Sequence, residues 1–277
     1  MKRVLIFSYL ESTIDLINIV GKYAEVIGVI LPISRIKDID QSVYDFLKEK
    51  KINSYTQYYS TDSKSEELAR NLKNINVDLI VTYSYPMILS KNLIETASMG
   101  GINIHNGLLP EHRGCNVLNW VLVNGEKSTG VTIHWLDEWI DTGDIIGRRT
   151  IDINFEDTAL TLRNKLIKEG LALINKLIPQ IMYDSAPRMR QNSDNACYYR
   201  KRTPEDGLIN WYKMSDKEIY NLIRALVPPW PGAFYTDESG KKAVFDKLIN
   251  LDEIAEIRNG LKLSMTDYKE QNYEQTT

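Results

Sequence analysis

GINIHNGLLPEHRG, residues 101–114, decides how the rest of the chain reads. Ile102 and Ile104 alternate with Asn103 and His105, and a period of two sends those polar side chains to one side of a strand. The strand runs straight into Leu108-Leu109-Pro110 and an Arg113-Gly114 turn, so Asn103 and His105 stand at its C-terminal end. That edge is where open α/β sheets bind ligands. A second strand follows at 130–135, GVTIHW, and then a carboxylate-rich turn from Asp137 to Asp144 that contains Asp141-Thr142-Gly143-Asp144.

On either side of this stretch the chain alternates strand and helix. Residues 2–8 (KRVLIFS), 24–31 (AEVIGVIL) and 77–83 (VDLIVTY) are short apolar runs of the kind buried on both faces of a parallel sheet. Residues 52–55 add a shorter strand, and 145–153 another. Helical periodicity occupies 12–23, 40–50, 65–74, 91–98 and 116–124, and the long amphipathic stretch 157–182 carries Leu160, Leu162, Leu166, Ile167, Leu171, Leu173, Ile174, Leu177 and Ile178 as its apolar residues. No glycine-rich fingerprint follows the first strand, which continues instead as Tyr9-Leu10-Glu11-Ser12; this argues against a dinucleotide or P-loop site. The expected fold is α/β: a Rossmann-like open sheet with helices on both faces. After about residue 190 the character changes to a loop-rich connection, a helix at 215–226, the run PPWPGAF (228–234), a hairpin signal around Asp237 to Gly240, and a polar tail from Asp267. We therefore expect a catalytic domain over 1–190 and a small C-terminal α+β/β-hairpin appendage over 191–277.

Bulk properties narrow the class. The chain has 277 residues, 43% hydrophobic and 26% charged, enough for one large core and a smaller unit. A net charge of −3 gives no general grip on nucleic acid. The cysteines, Cys115 and Cys197, match no metal or redox spacing, which fits a reducing compartment. Only about five apolar residues follow Met1-Lys2-Arg3, too few for a signal-peptide core. No run approaches the roughly 20 residues of a membrane span. The expected location is cytoplasmic, with no membrane, nucleic-acid or metal partner.

Asn103-Ile104-His105, Leu108-Leu109-Pro110, Arg113-Gly114, Trp120, Asn124-Gly125-Glu126, Thr129 to Thr132 and Asp141 to Asp144 together resemble the folate-dependent formyltransferase family. Residues 118–126, and again the segment 198–235, are most similar to the nucleotide-sugar N-formyltransferases, such as the domain acting on UDP-linked aminoarabinose. The resemblance implies transfer of a formyl group from 10-formyltetrahydrofolate to an amine, with Asn103, His105 and Asp141 as the catalytic set. It places Tyr85, Met87, Ile88 and Leu89, in the loop after the strand at 77–83, on the folate together with Asp137 and Asp144. A pterin is a planar array of donors and acceptors that main-chain groups match well. Arg113, Gly114, Arg200, Lys201, Arg224 and Trp230 are the implied substrate contacts, with the basic run at 200–202 facing a diphosphate. A homodimer is implied by analogy.

The chemistry agrees with the residue types. An amine attacking a formyl carbon forms a tetrahedral adduct whose oxyanion needs donors, which the Asn103 amide and an N–H of His105 supply. The attacking amine loses a proton and the leaving folate nitrogen gains one, and Asp141 near the imidazole helps relay it. Three departures bear on the acceptor rather than the reaction. Gly107 stands where the family commonly has Ser, His134-Trp135 end the second strand, and Trp139 interrupts the acidic turn. The expected acceptor is a dTDP- or UDP-linked amino-deoxy sugar of surface glycan (lipopolysaccharide or O-antigen) synthesis. The alternatives are a methionyl-tRNA formyltransferase-like enzyme, a formate-releasing hydrolase and a non-catalytic binder of sugar nucleotide or folate.

Overall fold

A computed structural model describes residues 1–60, 62, 65–237 and 239–261. The tail from Asp267 and Glu238 of the hairpin turn lie outside the described residues. Two compact units interleave along the chain. The first comprises Met1–Gly114, Thr129–Ile151 and Lys165–Tyr198; the second comprises Cys115–Ser128, Asp152–Asn164 and the chain from Tyr199 onward.

The first unit is built on a sheet. Its strands are β1 (Arg3–Phe7), β2 (Glu25–Pro32), β3 (Asn53–Gln57), β4 (Leu79–Tyr83), β5 (Gly101–His105), β7 (Ser128–Trp135) and β8 (Ile145–Asp152); the two-residue strands β6 (Arg113–Gly114) and β9 (Tyr198–Tyr199) stand outside it. The order is β3-β2-β1-β4-β5-β7-β8. The pairs among β1 to β5 are parallel and β7 runs antiparallel to β5. The apolar runs of β1 and β4 are buried because helices cover both faces, as a parallel sheet requires.

The helices of this unit are α1 (Ser12–Val20), α2 (Gln41–Lys50), α3 (Ser65–Lys73), α4 (Lys91–Ile94) and most of α6 (Ala159–Met182). Asp40 caps α2 by accepting the Ser42 N–H at 2.8 Å. Leu68 and Leu72 of α3 join Leu5, Phe7, Ile30, Val77, Ile80, Leu93 and Ala97 in one buried cluster. On the opposite face, Gly170 lets α6 lie close to the sheet. A Cβ there would stand 3.1 Å from Tyr83 Oη and 3.3 Å from Ile104 Cγ2. By strand alternation, Ile104 and Tyr83 face α6, whereas Asn103, His105 and Thr82 face the other way. α4 is a single turn where residues 91–98 read as a longer helix. The Ser98 N–H bonds Val77 O, and Ala97 bridges to Val77, drawing the chain out of the helix toward the sheet.

The second unit contains α5 (Val117–Val123), α7 (Asp216–Arg224), the hairpin β10 (Ala233–Thr236) and β11 (Lys242–Phe245), and α8 (Leu251–Leu261). Ser215 and Glu218 close a capping box at the start of α7. Asn119 Nδ2 donates to Ala225 O at 2.7 Å, joining α5 to the end of α7. After the hairpin the chain forms α8. Ile254 is buried, and Arg258 Nε meets Asp216 at 2.7 Å while Nη2 donates to Met214 O at 2.6 Å. Among the described residues no helix is long and apolar enough to cross a membrane.

Candidate active site

β5 sets the site. Its register pairs Thr82 of β4 with Asn103, and across the antiparallel partner it pairs Asn103 with His134 and His105 with Thr132. Residues directly opposite on paired strands share a face, so five polar side chains converge there. The Thr82 hydroxyl donates to Asn103 Oδ1 at 2.7 Å. His134 Nδ1 lies 2.8 Å from the Trp135 carbonyl, which places the proton on Nδ1 and leaves Nε2 an acceptor. Asn103 Nδ2 then donates to His134 Nε2 at 3.2 Å and approaches Asp141 Oδ1 at 3.5 Å. The amide is thereby oriented oxygen toward Thr82 and nitrogen toward the cluster.

Asp141 arrives from the turn after β7. It adopts φ 57°, a left-handed conformation that Asp tolerates better than most residues. Its Oδ1 is 3.6 Å from His105 Nδ1 and 3.5 Å from His134 Nε2, and its Oδ2 accepts the Gly114 N–H at 2.9 Å. Asp137 shapes this turn, accepting the Thr142 hydroxyl at 2.7 Å and the Trp139 N–H at 3.1 Å. Gly143 is sterically required, because a Cβ would fall 1.9 Å from Trp135 O.

His105 Nε2 lies 2.6 Å from the His112 carbonyl and carries its proton there, leaving Nδ1 as a lone pair facing Asp141. His112 is positioned in turn, its Nδ1 taking the Leu108 N–H at 3.3 Å. Thr132 Oγ1 pins the same loop, donating to Gly107 O at 2.7 Å and accepting the Leu109 N–H at 3.1 Å. A Cβ on Gly107 would meet His105 Nε2 at 2.7 Å and His112 O at 2.9 Å, so a glycine fits where the resembled family commonly has Ser.

Electrostatics separate the two titrating groups. Burial, with help from His134, pushes His105 below its usual value, against the opposing pull of Asp141. Burial would raise the Asp141 carboxyl, but His105, His134 and the Gly114 N–H outweigh it and hold it well below the carboxylate range. The resting pair is a neutral imidazole beside an ionised carboxylate. Such a pair accepts a proton at Nδ1 and stabilises the resulting cation between the Asp141 carboxylate and the His112 carbonyl.

Of the other expected contacts, Gly114 serves Asp141 directly. Arg113 is buried, its guanidinium bonded to Gln191 Oε1 and Tyr198 Oη. Tyr85 packs edge-on to Phe7 at 5.3 Å, and its hydroxyl is buried without a hydrogen bond, which raises its pKa. Leu89 packs on the same cluster, Met87 is half-buried and Ile88 is 74% exposed. Asp144 is half-buried, and its carbonyl accepts the Trp135 N–H at 2.9 Å. In the second unit, Arg200 is exposed and ion-paired with Asp206, Lys201 is exposed and Trp230 half-buried. Arg224 is buried there, donating to Asn221 Oδ1 at 2.9 Å and Asn154 O at 3.0 Å. Sequence reasoning missed His112, His134 and Gln191 as members of the site. The alternation in GVTIHW puts Thr132 and His134 on one face, and only the antiparallel pairing turns that face toward Asn103.

Comparison with known proteins places the chain in a family. Residues 6–178 match the family described as formyl transferase, and residues 201–259 its C-terminal domain. The bifunctional polymyxin resistance protein ArnA of Wigglesworthia glossinidia brevipalpis is 43% identical over 163 residues, 59% of this chain and 25% of that protein. The chain thus matches about a quarter of that relative's length. A 4-N formyltransferase from Francisella tularensis superposes with TM-score 0.75 at 21% identity, covering 90% of this chain and 98% of that one. WlaRD, a sugar 3N-formyl transferase solved in the presence of dTDP and 5-N-formyl-THF, gives 0.63 at 26% identity, covering 81% and 79%.

Proposed function

The chain belongs to the formyl transferase family, and on that premise we propose that it moves a formyl group from 10-formyltetrahydrofolate to the amine of a nucleotide-linked amino sugar. The observation that carries the reading is the convergence of Asn103, His105 and Asp141, and the burial that depresses His105 together with the neighbours that depress Asp141 suits a neutral base beside a carboxylate. The sugar amine attacks the formyl carbon directly, and no covalent enzyme intermediate forms. Asn103 Nδ2, whose second proton is held only at 3.5 Å from Asp141, turns that proton to the developing oxyanion. His105 Nδ1 takes the amine proton, Asp141 stabilises the imidazolium, and the proton passes to folate N10 as the carbon–N10 bond breaks.

The donor side fits the loop after β4. Gln57 Nε2 fixes it by donating to Ile88 O at 3.0 Å. Ile88 and, across the Lys91–Glu138 contact at 4.0 Å, Trp139 and Ile140 offer exposed apolar surface for a planar ring. A nucleotide-sugar acceptor is favoured by the likeness to WlaRD, a sugar 3N-formyl transferase solved in the presence of dTDP and 5-N-formyl-THF. Lys201 and Arg200, both exposed, are the proposed contacts of the diphosphate and Trp230 that of the sugar; Arg224, buried with its guanidinium on Asn221 and Asn154, does not take that role. The reading extends to a cytoplasmic homodimer in surface glycan synthesis.

The test is formyl transfer from 10-formyltetrahydrofolate to a panel of dTDP-, UDP- and GDP-linked amino sugars, with methionyl-tRNA alongside, read by mass spectrometry. A sugar nucleotide heavier by one formyl group is expected. Formylated tRNA alone, or formate release at full rate without acceptor, would overturn the reading.

A further inference from the structure

One buried amide ties the acidic turn to Arg113. Gln191 is 7% exposed. Its Nε2 donates to two main-chain carbonyls, Asp141 O at 2.9 Å and Gly143 O at 2.8 Å. Its Oε1 accepts from Arg113 Nε at 3.0 Å and Nη2 at 2.7 Å. Arg113 is itself pinned: Nη1 donates to Tyr198 Oη at 2.8 Å, the guanidinium lies 5.3 Å from the Tyr198 ring, and its peptide N–H donates to Cys197 O at 2.9 Å. The next peptide N–H, that of Gly114, is the one that donates to the Asp141 carboxylate.

These bonds close a ring. From the Asp141 carboxylate it passes through the Gly114 N–H to Arg113, across to Gln191, and back to the Asp141 carbonyl. Asp141 is therefore gripped by both side chain and main chain, at a positive φ that a non-glycine residue holds only when its surroundings impose it. Both amide protons of Gln191 and its carbonyl oxygen are used, and removing any partner leaves buried groups unpaired.

We infer that Gln191, backed by Arg113, is a positioning residue that holds the Asp141 carboxylate against His105 and Asn103. It touches neither His105 nor the proposed reacting atoms, and it acts through the backbone of the turn. The kinetic consequence rests on the formyl-transfer reading; the geometric one does not. A displacement of about 1 Å at reacting groups costs on the order of a hundredfold in rate.

The experiment uses the full-length protein with Gln191→Met and Gln191→Glu. The second keeps an acceptor for Arg113, and so the fold, but offers no proton to the two carbonyls. Both variants are expected to lower kcat by about tenfold to a hundredfold, with KM for donor and acceptor within about threefold. In parallel, NMR of 15N-histidine-labelled protein follows the titration of His105, whose neighbours in charge are Asp141, His134 and His112. Because Asp141 pulls that titration upward, its displacement moves the midpoint lower. A purely structural role predicts a stable Gln191→Glu variant with wild-type kcat and an unmoved His105 midpoint, and that result overturns the inference. Should the wild-type protein formylate nothing, the NMR arm alone decides: a lowered midpoint in the variants supports positioning, and an unchanged one removes it.

Discussion

Asp141→Asn is the sharpest probe of the proposed chemistry. Asparagine matches the carboxylate in shape, still accepts the Gly114 N–H, and occupies left-handed φ as readily, so the turn is kept. What changes is charge. At 3.6 Å from His105 Nδ1, a unit charge at an effective dielectric near 20 stabilises the imidazolium by about 4–5 kcal/mol. Each 1.36 kcal/mol is tenfold in rate, so kcat for formyl transfer is expected to fall by about a thousandfold. Binding of donor and acceptor precedes the charge separation, so both KM values should stay within about threefold. Single-turnover formylation quenched and read by mass spectrometry measures the chemical step directly. A folded variant with kcat within about tenfold of wild type would refute the charge argument.

Other consequences are open to measurement. Because burial depresses His105, the acidic limb of kcat/KM should fall with a midpoint below 6.5, and a midpoint above 7 in the pH–rate profile would contradict a neutral base. The same depressed groups make stability pH-dependent. The His105 contribution is complete above about pH 6.5 and is lost as pH falls through its folded pKa, and that of Asp141 is lost below 3.8, so Tm should decline on acidification in that order. His134→Phe removes the acceptor that orients the Asn103 amide, and should cost about tenfold or more in kcat with the fold intact by circular dichroism. Gly143→Ala drives a methyl into the Trp135 carbonyl and should lower stability in urea by about 1–3 kcal/mol; an unchanged midpoint would mean the turn is looser than its geometry indicates.

Much of the fold is legible because a parallel sheet demands apolar runs. RVLIF and LIVTY have no other comfortable place, and the Asn103–His105 alternation marks one strand edge by period alone. The helix α8 escaped for a complementary reason. LDEIAEIRNGL offers Leu251, Ile254, Ile257 and Leu261 as a faint apolar stripe, and Arg258 anchors it through bonds made far along the chain. Asn103, His105 and Asp141 were legible as chemical types in an ordered motif, and the structure brings them together. His134 needed the strand direction, which no local pattern encodes. Gln191 needed a partner 50 residues away. Arg113 and Arg224 show a further limit: a guanidinium reads the same in sequence whether it faces solvent or, as here, its arms end on the protein's own amide and carbonyl oxygens.

The antiparallel entry of β7 makes the active constellation a matter of parity. Asn103 meets His134 because those residues are direct partners. Slide β7 by one residue and Ile133 or Trp135 would stand at the cluster instead, with His134 turned toward α6. The site therefore exists in one alignment of two strands and vanishes in the next, with no graded state between. Activity recovered from a refolded or redesigned chain would count only the molecules whose strands met in phase.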